Sequence, residues 1–117
     1  MLLLFGSLIT SSLASAYDIL SIDGGGIKGI LPAETIDLIE SYAFTYALSC
    51  NYSIPIYYYN NGTQRNKLHL NNLFDMFAGT STGGIIAAAL SLNNKTNSSE
   101  PLIWASDLIE LYSDNAD

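Results

Sequence analysis

Residues 73–90 read Leu-Phe-Asp-Met-Phe-Ala-Gly-Thr-Ser-Thr-Gly-Gly-Ile-Ile-Ala-Ala-Ala-Leu, and the fold turns on how they are read. The run Leu73–Ala78 reads as a buried strand, and Gly84–Leu90 as a helix that is apolar nearly all round and therefore buried. Between them stands Gly79-Thr80-Ser81-Thr82-Gly83. A chain that turns sharply from strand into helix needs neighbours without side chains, which Gly79 and Gly83 supply, and a serine at the apex is pushed into the open. This is the sequence of a nucleophile elbow with Ser81 as the nucleophile. A bare G-x-S-x-G also occurs in Gly/Ser turns that carry no chemistry.

A second glycine cluster bears on that choice. Ile19–Ile22 reads as a strand and runs into Asp23-Gly24-Gly25-Gly26-Ile27-Lys28-Gly29, after which Pro32 is placed to open a helix in its first turn. Gly24, Gly25 and Gly26 present backbone N–H groups that no side chain shields. At a helix entrance such a row suits a phosphate or the oxyanion of a tetrahedral acyl intermediate. Gly24, Gly26 and Gly29 also fit the dinucleotide pattern G-x-G-x-x-G, which requires an acidic residue about 20 positions on to hold a ribose. After Glu40 the next acid is Asp75, so the nucleotide reading lacks its partner.

With both motifs in this order, the chain resembles the patatin-like phospholipase family. The resemblance is carried by Ile19–Ile30 (ILSIDGGGIKGI), the helix after it, and Leu73–Gly84 (LFDMFAGTSTGG). It spans Tyr17 to about Tyr112, with an insertion between roughly Cys50 and Lys67. It implies a three-layer α/β/α hydrolase domain with a mainly parallel sheet, of which this chain is the N-terminal portion. It also implies a lipid acyl hydrolase working through an acyl-serine intermediate and a Ser-Asp dyad. Ser81 is then the nucleophile, the amides of Gly24, Gly25 and Gly26 form the oxyanion hole, and Gly29, Gly79 and Gly83 complete the motifs. Lys28, at a position usually Arg or Lys in that family, is assigned a local structural role. The implied partner is a lipid or phospholipid met at a membrane or micelle interface, and no cofactor is implied.

The family's dyad aspartate lies in a downstream Asp-Gly-Gly or Asp-Gly-Ala segment, and the one Asp-Gly here is Asp23-Gly24. Asp107, Asp114 and Asp117 follow the elbow, but none precedes a glycine, and the first two are read as solvating a helix. A triad enzyme of the G-x-S-x-G class places its histidine after the serine, whereas the single histidine, His69, precedes it. His69 is read as a surface or lightly packed residue in a polar lead-in to the strand. The competing function is therefore a catalytically inactive, lipid-binding relative of the same fold.

Composition sets outer bounds. Four basic and eleven acidic residues give a formal net charge of −7 with no basic run. This argues against nucleic acid and against electrostatic adhesion to anionic membranes. No metal-ligand cluster appears. Residues 1–16 read as a signal peptide, with an apolar core from Leu2 to Leu13 and Ala14-Ser15-Ala16 as its cleavage site, leaving 17–117 as the hydrolase segment. The stretch is short for a membrane span. Export to the secretory pathway, as a secreted or vacuole-like lumenal glycoprotein, agrees with N-x-S/T acceptors at Asn51, Asn61, Asn94 and Asn97, all in expected loops. Cys50, the sole cysteine, is read as a buried thiol or as half of a bond to a partner elsewhere.

Helices are expected over about Pro32–Leu48, with Ile36, Ile39, Ala43 and Tyr46 facing the core, and over about Glu100–Tyr112, with Leu102, Ala105, Ile109 and Tyr112 inward. The insertion, rich in tyrosine and broken by Asn60-Asn61-Gly62, reads as a hairpin packed on its own domain in preference to a lipid-contacting loop.

Overall fold

The computed structural model describes residues 16–96 and 100–114. The expected signal peptide, apart from Ala16, lies outside that range, as do Asn97 and Asp117. Strand β1 (Ile19–Ile22) leads through a 3-10 turn at Gly26–Gly29 into helix α1 (Ile30–Ser49). A small hairpin, β2 (Tyr57–Tyr58) and β3 (Gln64–Arg65), precedes β4 (Met76–Gly79), the elbow helix α2 (Thr82–Leu90) and α3 (Ala105–Asp114). The strands β1 and β4 pair in parallel, with Ile19 opposite Met76 and Ile22 opposite Gly79. Their C-terminal ends therefore lie side by side and deliver both glycine motifs to one edge of the sheet. Helix α2 packs on both strands and α1 on α3. One core joins them through Ile22, Ala33, Ile36, Leu70, Ile86, Leu90, Ala105 and Leu108. This is a mixed α/β fold with a parallel sheet and covering helices.

Several sequence expectations shift. The strand before the elbow begins at Met76, not Leu73, because Leu70–Asn72 forms a 3-10 turn whose carbonyls take up the N–H groups of Leu73 and Phe74. Helix α2 is not buried all round: Gly83, Ile86, Ala87 and Leu90 face inward while Ile85 is 57% exposed. In α1 the inward stripe is Ala33, Ile36, Glu40, Phe44 and Ala47, and Tyr46 points out, stacked on Tyr42. The spacing is helical as expected, but the stripe is centred on a glutamate, which a hydrophobicity reading places outside. Helix α3 starts at Ala105, where the Asp107 carboxylate accepts the Trp104 N–H at 2.8 Å and caps the first turn. Leu102 lies before it and is half exposed, while Leu108 takes an inward position.

The insertion is a hairpin packed on its own domain. Gly62, at φ +82°, and the Thr63 N–H bond to Asn61 Oδ1 close its turn. Tyr57 meets the Trp104 ring edge-on, and the Arg65 guanidinium lies over both Tyr59 and Trp104. Cys50 is exposed at the end of α1, not buried, since the helix stops there and Asn51 turns the chain at φ +57°.

His69 is fully buried, contrary to the surface reading. It caps the 3-10 turn: Nδ1 accepts the Asn71 N–H at 3.1 Å, so the ring proton sits on Nε2 and is donated to the Ile103 carbonyl at 2.9 Å. Trp104 packs edge-on against the ring. Glu40 Oε1 lies 4.0 Å from His69 Nε2, beyond hydrogen-bonding range, and neither carboxyl oxygen has a partner within that range. Burial pushes the Glu40 carboxyl up from 4.5 to about 7, opposed by Lys67 and reinforced by Asp37. Those two side chains form an ion pair with each other. Burial also lowers the His69 imidazole below its ordinary 6.5, offset in part by the bond to Ile103 and helped by Arg65. Both groups are thus neutral in a window below pH 7.

The sign of the pH dependence follows. A carboxyl whose pKa is raised on folding costs stability as pH climbs from its unfolded value through about 7, up to about 3 kcal/mol for a shift of this size. The imidazole costs stability as pH falls below 6.5. The melting temperature is expected to drop between pH 6 and pH 8. Glu40→Gln, which is neutral throughout, is expected to flatten that drop while changing little at pH 5. An equal drop in the variant, measured by calorimetry at the two pH values, would locate the sensitivity elsewhere.

Candidate active site

The elbow is built by backbone contact. A methyl group on Gly79 would collide with the Gly83 carbonyl, and one on Gly83 would collide with the Ile22 carbonyl at the end of β1. No side chain fits at either place, so these two motif glycines are set by packing. Thr80 N–H donates to the same Ile22 carbonyl at 3.2 Å, and Gly83 N–H to the Thr80 carbonyl at 2.9 Å, which closes the turn. Ser81 at its apex has φ +53° and ψ −125°. A non-glycine residue held there costs about 1–3 kcal/mol and persists only where the surroundings impose it. The side chain is exposed and caps no helix N–H. Ser81 thus stands at the C-terminal edge of the sheet and at the N-terminus of a helix, whose positive end favours negative charge.

The glycine loop lies directly against this turn. A methyl on Gly24 would collide with the Thr80 carbonyl and fall 2.7 Å from Ser81 Cβ, so Gly24 is the loop position where the elbow leaves no room for a side chain. Gly25 differs: a methyl there would meet only Lys28 Cβ, at an ordinary 3.5 Å. Gly26 needs to be glycine for its backbone, at φ +62°. The expectation of three unshielded amides is corrected for two of them. Gly24 N–H donates to Thr80 Oγ1 at 3.2 Å and Gly25 N–H to Thr82 Oγ1 at 3.1 Å, because the loop packs across the elbow's own threonines. Gly29, the last residue of the motif, faces the Tyr112 ring of α3, where a methyl would approach Cζ to 2.8 Å. Its role in this chain is to seat α3. Lys28 is exposed and makes no ion pair among the described residues, its backbone N–H closing the turn to the Gly25 carbonyl at 3.3 Å.

Asp107 and Asp114, the candidate acids that lie among the described residues, make no hydrogen bond to Ser81. Asp107 is spent on capping α3, and Asp114 is exposed at that helix's far end. His69 is enclosed between α1 and Trp104. Among the described residues no group of histidine, cysteine or carboxylate side chains could hold a metal. Of the acceptor asparagines, Asn51 and Asn61 are exposed in turns, and Asn94 is partly exposed in the loop after α2. The contribution of Thr80 and Thr82 was missed in the sequence, where they read only as the variable positions of G-x-S-x-G.

Comparison with known proteins agrees with this geometry. The family model for patatin-like phospholipase matches residues 20–116. The chain belongs to the patatin-like phospholipase family. It is 34% identical to Patatin-T5 of Solanum tuberosum over 116 residues, covering 95% of this chain and 25% of that protein. It is 32% identical to Patatin-17 of Solanum cardiophyllum over 117 residues, 96% of this chain and 26% of the relative. A relative named "Probable inactive patatin-3-Kuras 1", also from Solanum tuberosum, is 32% identical over 105 residues, 90% of this chain and 23% of that protein. The chain thus spans about a quarter of the length of the curated relatives it matches. No solved structure matches.

The strain at Ser81 has a measurable consequence. Ser81→Gly relieves the positive φ, and after the entropy a glycine costs in the unfolded chain it is expected to raise stability by about 1 kcal/mol. Ser81→Ala keeps the strained backbone and is expected to leave stability within a few tenths of a kcal/mol. Chemical denaturation of the two variants beside the parent protein distinguishes them, and equal stabilities would mean that the turn is not strained.

Proposed function

We propose that the protein is a lipid acyl hydrolase that cleaves carboxylic esters of lipids, phospholipids among them, through an acyl-serine intermediate. The observation that carries this reading is Ser81 at φ +53° on a strand-turn-helix elbow with the Gly24–Gly26 loop laid against it. Ser81 Oγ attacks the ester carbonyl. Amides of the glycine loop and the N-terminus of α2 stabilise the oxyanion, an effect worth roughly 3–4 kcal/mol per well-placed donor. An aspartate outside these 117 residues takes the serine proton, completing a Ser-Asp dyad. Family membership supports the hydrolytic class, and no cofactor enters the scheme.

A second reading is an inactive lipid-binding member of the family. It is favoured by the relative whose name marks it as probably inactive, and by the engagement of Asp107 in a helix cap.

A fluorophosphonate probe is expected to label Ser81 in the full-length protein, and Ser81→Ala to abolish both labelling and ester hydrolysis. Gly24→Ala is expected to lower the rate at least tenfold, since its methyl meets Ser81. Hydrolysis undiminished in Ser81→Ala would remove the serine from the chemistry. A parent protein that binds lipid vesicles but neither turns over ester nor takes the probe would establish the inactive reading.

The same proposal covers processing: residues 1–16 direct export, and Asn51, Asn61, Asn94 and Asn97 accept N-glycans. N-terminal sequencing of the mature protein is expected to begin at Tyr17, and enzymatic deglycosylation to increase gel mobility. Recovery of Met1 would overturn the leader assignment.

A further inference from the structure

The two residues that flank the nucleophile both reach across to the glycine loop. Thr80 Oγ1 accepts the Gly24 N–H and Thr82 Oγ1 accepts the Gly25 N–H, bonds that join segments 56 and 57 residues apart. The turn itself does not require threonine at either place, because its close approaches are met by Gly79 and Gly83. The loop, in contrast, has little else to hold it. Three successive glycines have no side chains to pack, their backbone is freer than any other, and Gly24, Gly25 and Gly26 are all exposed.

We infer that Thr80 and Thr82 are positioning residues, which clasp the glycine loop against the elbow from both sides of Ser81 and so fix the direction of its amides for the oxyanion. This rests on Ser81 being the nucleophile. Each amide has one proton, which the threonine oxygen accepts in the resting site, and an oxyanion arriving beside it shares that proton in a bifurcated bond while the threonine keeps the loop in place. A side-chain hydrogen bond of this kind shifts the population of an otherwise free loop by roughly fivefold, and both together by more than either alone.

The test uses the full-length protein, with steady-state hydrolysis of a short-chain acyl ester and the rate of Ser81 phosphonylation by a fluorophosphonate. Thr80→Val and Thr82→Val, nearly isosteric but without the hydroxyl, are expected to lower kcat roughly five- to tenfold each while KM stays within about twofold. Phosphonylation is expected to slow in proportion, because its tetrahedral adduct uses the same amides. Thr80→Ser and Thr82→Ser keep the hydroxyl and are expected to restore both rates. Valine variants as fast as the parent overturn the inference, as do serine variants as slow as valine. Should a valine variant fail to fold, the alanine variant at that position is read in its place by the same criteria. If Ser81→Ala retains labelling and turnover, the nucleophile assignment fails, an outcome separable from normal labelling that is insensitive to the threonines.

Discussion

The site depends on one close approach, that of the Gly83 backbone to the Ile22 carbonyl at the end of β1. This contact brings the start of the elbow helix onto the strand that carries the other glycine motif. Parallel pairing of β1 with β4 sets the two strand ends level, with Ile22 opposite Gly79, and the missing side chain at Gly83 lets the turn close over them. The Ile22 carbonyl then accepts the Thr80 N–H, so one backbone oxygen both limits the approach and secures it. Any side chain at Gly83 would push the turn that carries Ser81 away from the end of β1 and the glycine loop that follows it.

From that contact the rest of the site follows by short steps. A turn confined between Gly79 and Gly83 forces Ser81 into positive φ, and the forced backbone presents its side chain to solvent. The loop after β1 then passes so close to Ser81 that position 24 admits only glycine. With no side chains of its own, the loop is held by hydroxyls from the opposite motif. Strain at Ser81 and looseness in the loop are thus compensated by the same set of neighbours.

Away from the site, the buried Glu40 and His69 join α1 to the segments on either side of the elbow unit. The Leu68 N–H bonds to the Glu40 carbonyl, and the His69 ring to that of Ile103. Burial favours the neutral form of both ionisable groups, and neither is bonded to Ser81, so they bear on the stability of the frame and its response to pH. The two-stranded sheet also leaves Ile19 and Met76 more than half exposed, whereas parallel sheets are found with both faces covered.

Much of this was legible in the sequence because it is written in glycines. Gly24, Gly79 and Gly83 mark places where backbone meets backbone, and such places can be read without coordinates. Strand-turn-helix order around Ser81 follows from hydropathy patterns that need only local information. What stayed hidden depends on partners distant in sequence. A glutamate in the inward stripe of α1 and a fully buried histidine contradict their intrinsic polarity, and only the packing of α1 against residues 68–70 and 103–105 accounts for them. The threonines beside Ser81 look interchangeable in the motif, and their roles appear only when the loop 56 residues away is laid against them. The sequence by itself determined the order of the elements around Ser81 and the family. Tertiary structure decided which faces are buried and which amides are engaged, because each of those is a distance between residues far apart along the chain.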